Sequence, residues 1–263
     1  MRLMREVRFS PADARTTPPA NNWAGPLVDH PGAALQTLRI IVSGMIDPAT
    51  GYVCDIKKLD SLVRVVVAPA LRASATSAEA QLADGAQALM LAARAAAPQC
   101  PSGIRLDAIV WRISPFLSIS SKLREKAMVS ITRSFEFAAA HRLACAGLSD
   151  EENLRLFGKC SNVHGHGHNY LLEVTVQAAP DDRAAFADAI ATLDETVRRC
   201  VIEPFDHRNL NTECADFADL NPTVENIARV IFDRLRDAIR GCRLSRVRVW
   251  ETPKTCAECS EGD

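Results

Sequence analysis

The sequence predicts an α+β fold made in tandem: two copies of an antiparallel sheet, each carrying paired helices on one face. Three observations predict it. The first is an internal repeat. Residues 5–14 (REVRFSPADA), 35–44 (LQTLRIIVSG), 55–69 (DIKKLDSLVRVVVAP), 76–97 and 104–113 (IRLDAIVWRI) are answered, in the same order, by 133–142 (RSFEFAAAHR), 170–178 (YLLEVTVQA), 189–204 (AIATLDETVRRCVIEP), 221–241 and 243–252 (RLSRVRVWET). Val249-Trp250 echoes Val110-Trp111, and Pro204 echoes Pro69 at a helix end. The second observation is alternation of apolar and polar residues, and the third is helical spacing between the alternating runs.

Each unit reads as strand, strand, helix, helix, strand. Tyr170, Leu172, Val174 and Val176 alternate with Leu171, Glu173, Thr175 and Gln177, the period of a half-buried strand. Phe186, Ile190, Leu193, Val197 and Val201 then recur at helical spacing. Asn221 is expected to cap the next helix, with Pro222 at its first position, Glu225 in its first turn and Ile227, Val230, Ile231, Leu235 and Ile239 on its inner face. Strands followed by paired helices on one face specify a two-layer α+β sandwich. Pro115 and the serines after Ser114 place the boundary near residues 118–130, giving one domain over 1–125 and another over 127–263.

A length of 263 residues suits two domains of this size, and 48% apolar residues suffice for buried cores. The net charge of −1 gives no sign of a nucleic-acid or anionic-membrane partner. No apolar run approaches the ~20 residues that span a bilayer, and Arg2 and Arg5 are not followed by a signal-like apolar stretch, so a cytoplasmic protein is expected. Nine cysteines, odd in number and irregular in spacing, read as reduced thiols. The C-x-x-C of Cys256 and Cys259 has no second ligand pair and reads as an incidental tail feature.

Four of the six histidines gather in residues 135–176. On a strand, His164, His166 and His168 would share one side, and Gly165 and Gly167 would leave the other side bare for close approach of a backbone or substrate. Two imidazoles at i and i+2 plus a third from another strand make a three-ligand metal site with an open position. His141, at the end of the FEFAA strand, supplies the third. A single histidine here would read as a solvated loop residue; three within five residues read as metal ligands. With no carboxylate or soft axial ligand in the set, zinc is preferred over iron or copper. Cys160 lies just upstream, in a polar Gly-Lys-Cys-Ser-Asn stretch; a neighbouring dication and imidazoles would favour its thiolate, as nucleophile or base. Cys145, Cys200, Cys214 and Cys242 read as structural.

FAAAH, FGKC with HGHNY, EPFDHRNLN, NPTVENIA and VRVWET, running through residues 131–252 in this order, together resemble the 6-pyruvoyl-tetrahydropterin synthase / 6-carboxy-tetrahydropterin synthase family. The resemblance implies the T-fold, a four-stranded antiparallel sheet with two helices on one face, one strand more per unit than the residues alone specify. It implies a homo-oligomer in which units close into a barrel with active sites at subunit contacts. By position, it implies zinc on His141, His166 and His168, a catalytic Cys160, a catalytic Asp206-His207 pair, a pterin anchor at Glu251, and Thr223 and Glu225 in the pterin pocket.

The implied substrate is 7,8-dihydroneopterin triphosphate. Zinc would act on its side-chain oxygens as a Lewis acid, Cys160 would take a side-chain proton, and His207, oriented by Asp206, would shuttle protons. Glu251 would accept two hydrogen bonds from the guanidine-like pterin edge. Five residues separate Cys160 from His166 and three separate it from His164. The longer spacing resembles pyruvoyl-forming members and the shorter one carboxy-forming members; Asn169-Tyr170 after His168 favours the former. A non-catalytic pterin- or metal-binding protein is the alternative of another class, and it has no need of the full Cys160, Asp206, His207 and Glu251 set.

The first half departs from the pattern. Asp13 stands where His141 would, NNWAGP replaces the histidine stripe, no Asp-His pair follows Pro69, and Arg112 replaces Glu251. It keeps a hairpin, SGMIDPATGYVCD, that resembles a family feature the second half lacks. Residues 1–125 are therefore expected to fill barrel positions and not to carry chemistry.

Overall fold

The computed structural model describes residues 1–9, 36–74, 82–125 and 127–262. They fall into two compact units, one within residues 1–131 and 178–187, the other within 132–177 and 188–263. Asp13 and the 21–26 segment lie outside the described residues.

In the first unit, β1 (Arg2–Phe9) pairs antiparallel with β2 (Gln36–Ser43), Arg2 opposite Ser43 and Phe9 opposite Gln36. The chain turns back at Asp47, whose carboxylate accepts from the backbone N–H groups of Ala49 (2.8 Å) and Thr50 (3.1 Å). It then forms α1 (Ile56–Leu62), a π-helical turn over Val63–Val67, α2 (Ala68–Ser74) and α3 (Leu82–Ala96). The antiparallel pair β3 (Arg105–Ser114) and β4 (Leu117–Lys122) completes the sheet in the order β1-β2-β3-β4. Leu38, Ile40 and Val42 are fully buried on one face while Arg39, Ile41 and Ser43 are not. The α3 helix seats on Trp111 through Gly85, where a Cβ would stand 2.7 Å from the indole ring. Trp111 satisfies its buried N–H on Gln36 Oε1 at 2.7 Å.

The second unit contains β5 (Val129–His141), α4 (Asp150–Phe157), β6 (His166–Ala178) and α5 (Arg183–Val197). A π-helical turn over Arg198–Ile202 leads to α6 (Glu203–Phe205), β7 (Arg208–Asn209) and α7 (Leu210–Glu213). Then come α8 (Val224–Ala238), β8 (Arg243–Thr252) and β9 (Thr255–Ser260). The sheet order is β5-β6-β8-β9, with β7 parallel against β5. Tyr170, Leu172, Val174 and Val176 are buried as the alternation predicts. Thr175 and Gln177 are buried too, because Thr132 and Arg243 give them hydrogen-bond partners.

Both units carry a π-helical turn at the same place, ending two residues before Pro69 in one and Pro204 in the other. A proline inside a helix offers no N–H and crowds the carbonyl four residues back; a widened turn relieves both. In the second unit that carbonyl belongs to Cys200, and the Arg234 guanidinium donates to it at 2.8 Å.

Within the serine-rich stretch, Leu117–Lys122 is strand, because Pro115 and Phe116 form the tight turn of the β3–β4 hairpin. The structure departs from two sequence expectations. Cys256 and Cys259 lie on β9, paired opposite Trp250 and Val247, and do not belong to a ragged tail. Thr223, not Asn221, caps α8: its hydroxyl accepts from the Asn226 N–H at 3.3 Å. No helix among the described residues is long and apolar enough to cross a membrane.

Candidate metal centre

Three imidazoles meet where the end of β5 lies beside the start of β6. His141, His166 and His168 each bring a ring nitrogen into a group whose atoms all lie within 4.8 Å of one another. His141 is the last residue of β5 and is fully buried. Its Nδ1 stands 2.7 Å from the carbonyl of Pro222, just before α8. A carbonyl only accepts, so Nδ1 carries the proton and Nε2 keeps a lone pair. Burial pushes the His141 pKa down, against the opposing pull of the Pro222 hydrogen bond, so the ring is neutral. Burial and His168 lower the His166 pKa as well.

The His141 lone pair faces His166 Nε2 at 3.2 Å and the Glu251 carboxylate at 3.4 Å. Glu251 also lies 3.6 Å from His168 Nε2, a buried nitrogen with no hydrogen-bond partner. An accepting His141 nitrogen, a carboxylate and a buried His168 nitrogen without a hydrogen-bond partner converge on one space, where a cation would satisfy all three. The residues present therefore fit a divalent metal. Imidazole donors suit zinc. A carboxylate is close at hand, however, so its absence from the ligand set no longer argues against iron.

His164 stands outside the group. It lies in a turn ahead of β6, with its backbone N–H bonded to Asn162 Oδ1 at 3.1 Å. Gly165 takes φ +69°, which ends the turn and starts the strand one residue later, so the expected three-histidine stripe is a two-histidine stripe. A Cβ on Gly165 would fall 2.9 Å from the His141 carbonyl oxygen. The close approach anticipated at the glycines is thus one of backbone, and it holds the two histidine-bearing segments together.

Cys160 sits on a short 3₁₀ turn, Gly158–Ser161, entered through the C-cap of α4. The Leu143 N–H donates to the Cys160 carbonyl at 2.8 Å and the Arg142 guanidinium to the Ser161 carbonyl at 3.0 Å, fastening the turn to residues just past His141. Burial first, and the Glu251 carboxylate second, push the Cys160 thiol pKa up. Asp206 Oδ1 accepts the Ala138 N–H at 2.8 Å, and its Oδ2 lies 2.8 Å from His207 Nδ1. These hydrogen bonds, led by that of Ala138, lower the Asp206 pKa. His207 adopts φ +57°, an uncommon conformation for a non-glycine residue; its N–H bond to the Ala138 carbonyl (2.6 Å) holds it there. The pair is preformed on β5 with the imidazole largely exposed. Thr223 serves as helix cap, and Glu225 is exposed in the first turn of α8.

Several supporting contacts had no signal in the sequence. Asn211 brackets Arg142, accepting from its N–H at 2.7 Å and donating to its carbonyl at 2.9 Å. Buried Asn153 bonds to Cys145, Leu148 and Ser149. Asn221 accepts from the Ala144 N–H at 3.2 Å. Asn211 and Asn221 lie in the sequence blocks that carried the family resemblance; for Asn211 that was the only signal, whereas Asn221, expected as the cap of α8, holds Ala144 instead. Tyr170, one strand period beyond His168, stacks on Phe137 with its ring 5.7 Å from that of His168.

The family profile described as 6-pyruvoyl tetrahydropterin synthase matches residues 130–262. The 6-pyruvoyl tetrahydrobiopterin synthase of Homo sapiens is 40% identical over 127 residues, 48% of this chain and 88% of that protein. That of Drosophila melanogaster is 39% identical over 133 residues, 50% and 79% of the two chains. The 6-carboxy-5,6,7,8-tetrahydropterin synthase of Haemophilus influenzae is 28% identical over 152 residues, 51% of this chain and all of that protein. Among solved structures, the 6-pyruvoyl tetrahydropterin synthase of Caenorhabditis elegans shares 34% identity over 51% of this chain and 96% of its own, with a TM-score of 0.48.

Proposed function

Because the chain belongs to the 6-pyruvoyl tetrahydropterin synthase family, we propose that it is a zinc-dependent lyase that eliminates triphosphate from 7,8-dihydroneopterin triphosphate to form the 6-pyruvoyl product. The carrying observation is the convergence of His141, His166, His168 and Glu251, with a buried His168 nitrogen that no protein group satisfies. His141, His166 and His168 would hold zinc, which when bound supplies Lewis-acid polarisation of the substrate's side-chain oxygens.

The protein's own groups do the rest. Cys160 accepts a side-chain proton as thiolate, a bound dication offsetting the burial and the Glu251 charge that push its pKa up; His207, held by Asp206 in one orientation, delivers and removes protons. Glu251 accepts two hydrogen bonds from the pterin edge, and Thr223 and Glu225 border the pocket. The participation of His166 and His168, with His164 left in the preceding turn, matches the five-residue spacing from Cys160 and favours the pyruvoyl product. Residues 1–125 act as a domain without a metal site, duplicated from the same unit as 127–263 and filling positions in a homo-oligomeric barrel. The partners are the pterin substrate and further copies of the chain, in the cytoplasm.

Mass spectrometry of the product made from 7,8-dihydroneopterin triphosphate by the zinc-loaded chain tests this. The 6-pyruvoyl mass is expected. A 6-carboxy product would transfer the chain to the reaction of its Haemophilus relative, and unaltered substrate would leave only a binding role.

A further inference from the structure

Tyr170 is fully buried, and its hydroxyl has no hydrogen-bond partner. Buried hydroxyls are nearly always paired, and an unpaired one destabilises the fold that contains it. The ring is well accommodated: it stacks on Phe137 with centroids 5.0 Å apart and meets His141 and His168 edge-on. A phenylalanine would fill that space without the penalty. The unsatisfied oxygen is thus a local cost beside the metal centre, where stability is commonly given up for activity.

The strand register identifies the partner. Leu171 of β6 lies opposite Trp250 of β8, so Tyr170 and Glu251 are the next residues on their strands. Cross-strand neighbours share a face, with Cβ atoms about 5 Å apart. Glu251 now directs Oε1 toward His141 and His168. Once those nitrogens are ligated, the Tyr170 hydroxyl, one strand position from the Leu171–Trp250 pair, is a neutral donor that can hold the carboxylate.

We propose that Tyr170 is a positioning residue: in the metal-loaded centre its hydroxyl donates to Glu251 and fixes the carboxylate in the orientation that receives the pterin edge. The last clause rests on the pterin reading of the site; the hydrogen bond itself does not.

Tyr170→Phe, Glu251→Gln and the double variant in the full chain test it, by thermal unfolding with EDTA and with added zinc ion, and by fluorescence titration with neopterin. With EDTA, Tyr170→Phe is expected to unfold no lower than the parent chain. With zinc it should gain less than the parent does, and the two substitutions should be non-additive. Neopterin should bind about tenfold more weakly to Tyr170→Phe, as for loss of one hydrogen bond to a charged group. Equal zinc stabilisation of the parent and Tyr170→Phe, or additive substitutions in the zinc-loaded form, would overturn the proposal. So would a Tyr170→Phe chain that unfolds lower with EDTA yet gains as much from zinc, the result of a purely structural tyrosine. A parent chain that binds no neopterin would refute the pterin reading, while the zinc-dependent unfolding would still decide the hydroxyl's partner.

Discussion

Replacing Gly165 by alanine probes the junction that brings His141 beside His166 and His168. Two costs add. At φ +69° an L-residue is strained by about 1–2 kcal/mol relative to glycine. The new Cβ would also stand 2.9 Å from the His141 carbonyl oxygen and 3.4 Å from its carbon. Backbone cannot swing aside as a long side chain can, so β5 and the start of β6 must separate, an overpacking cost of about 1–3 kcal/mol. Together the loss is about 2–5 kcal/mol. Two other glycines isolate the terms. Gly51 has φ +72° with nothing within 4 Å of an added Cβ, so Gly51→Ala carries only the conformational cost. Gly167 has no positive φ, and its Cβ would meet the Ala139 carbonyl oxygen at 3.5 Å, an ordinary contact; Gly167→Ala should be near neutral. Thermal unfolding gives the stability series, and competition with a chromophoric chelator gives zinc affinity. Gly165→Ala should be the most destabilised and the only one of the three to lose zinc affinity. A Gly165→Ala chain that unfolds no lower than Gly51→Ala, or a Gly167→Ala chain that loses zinc equally, would refute a backbone clash at this junction.

Elemental analysis should find close to one zinc per chain, lost in His166→Ala and His168→Ala and retained in His164→Ala; the reverse for His164 and His168 would restore the shorter spacing from Cys160. Cys160→Ala should keep the metal and lose about 10²–10⁴-fold in turnover, the range for a positioned acid or base, and undiminished turnover would remove the thiol from the mechanism. Asp206 has a folded-state pKa lowered by the Ala138 N–H and by His207. Its stabilisation is therefore present above the unfolded-state pKa and fades as pH falls through the lower folded value. Asp206→Asn should flatten that acid limb in denaturant titrations, whereas an unchanged limb would mean the carboxylate is not the group responsible. Light scattering should find the full chain oligomeric, and residues 127–263 alone should be poorly soluble or inactive; a monomer, or a fully active fragment, would detach the first domain from the assembly.

The sequence by itself determined what is local. Period-2 and period-3.6 patterns over Tyr170–Val176 and Ile227–Leu235 specified the strand and the helix, because which residues share a face depends only on spacing along the same element. The i, i+2 spacing put His166 and His168 on one side for the same reason, and the recurrence of segments in one order marked two units with the same order of elements. Tertiary structure decided what depends on distant backbone. Gly165 can take φ +69° against the His141 carbonyl only when β5 is in place, and that turn removes His164 from the strand. The Pro222 carbonyl that sets the His141 tautomer is 81 residues away, and nothing in its local sequence marks it as an acceptor. The fourth strands were hidden for a similar reason. Leu117–Lys122 and Thr255–Ser260 carry serines, cysteines and charges and become strands by pairing with β3 and β8. The unsatisfied Tyr170 hydroxyl, likewise, exists only because Phe137, His141 and His168 close around it, and no pattern along the chain encodes the absence of a partner.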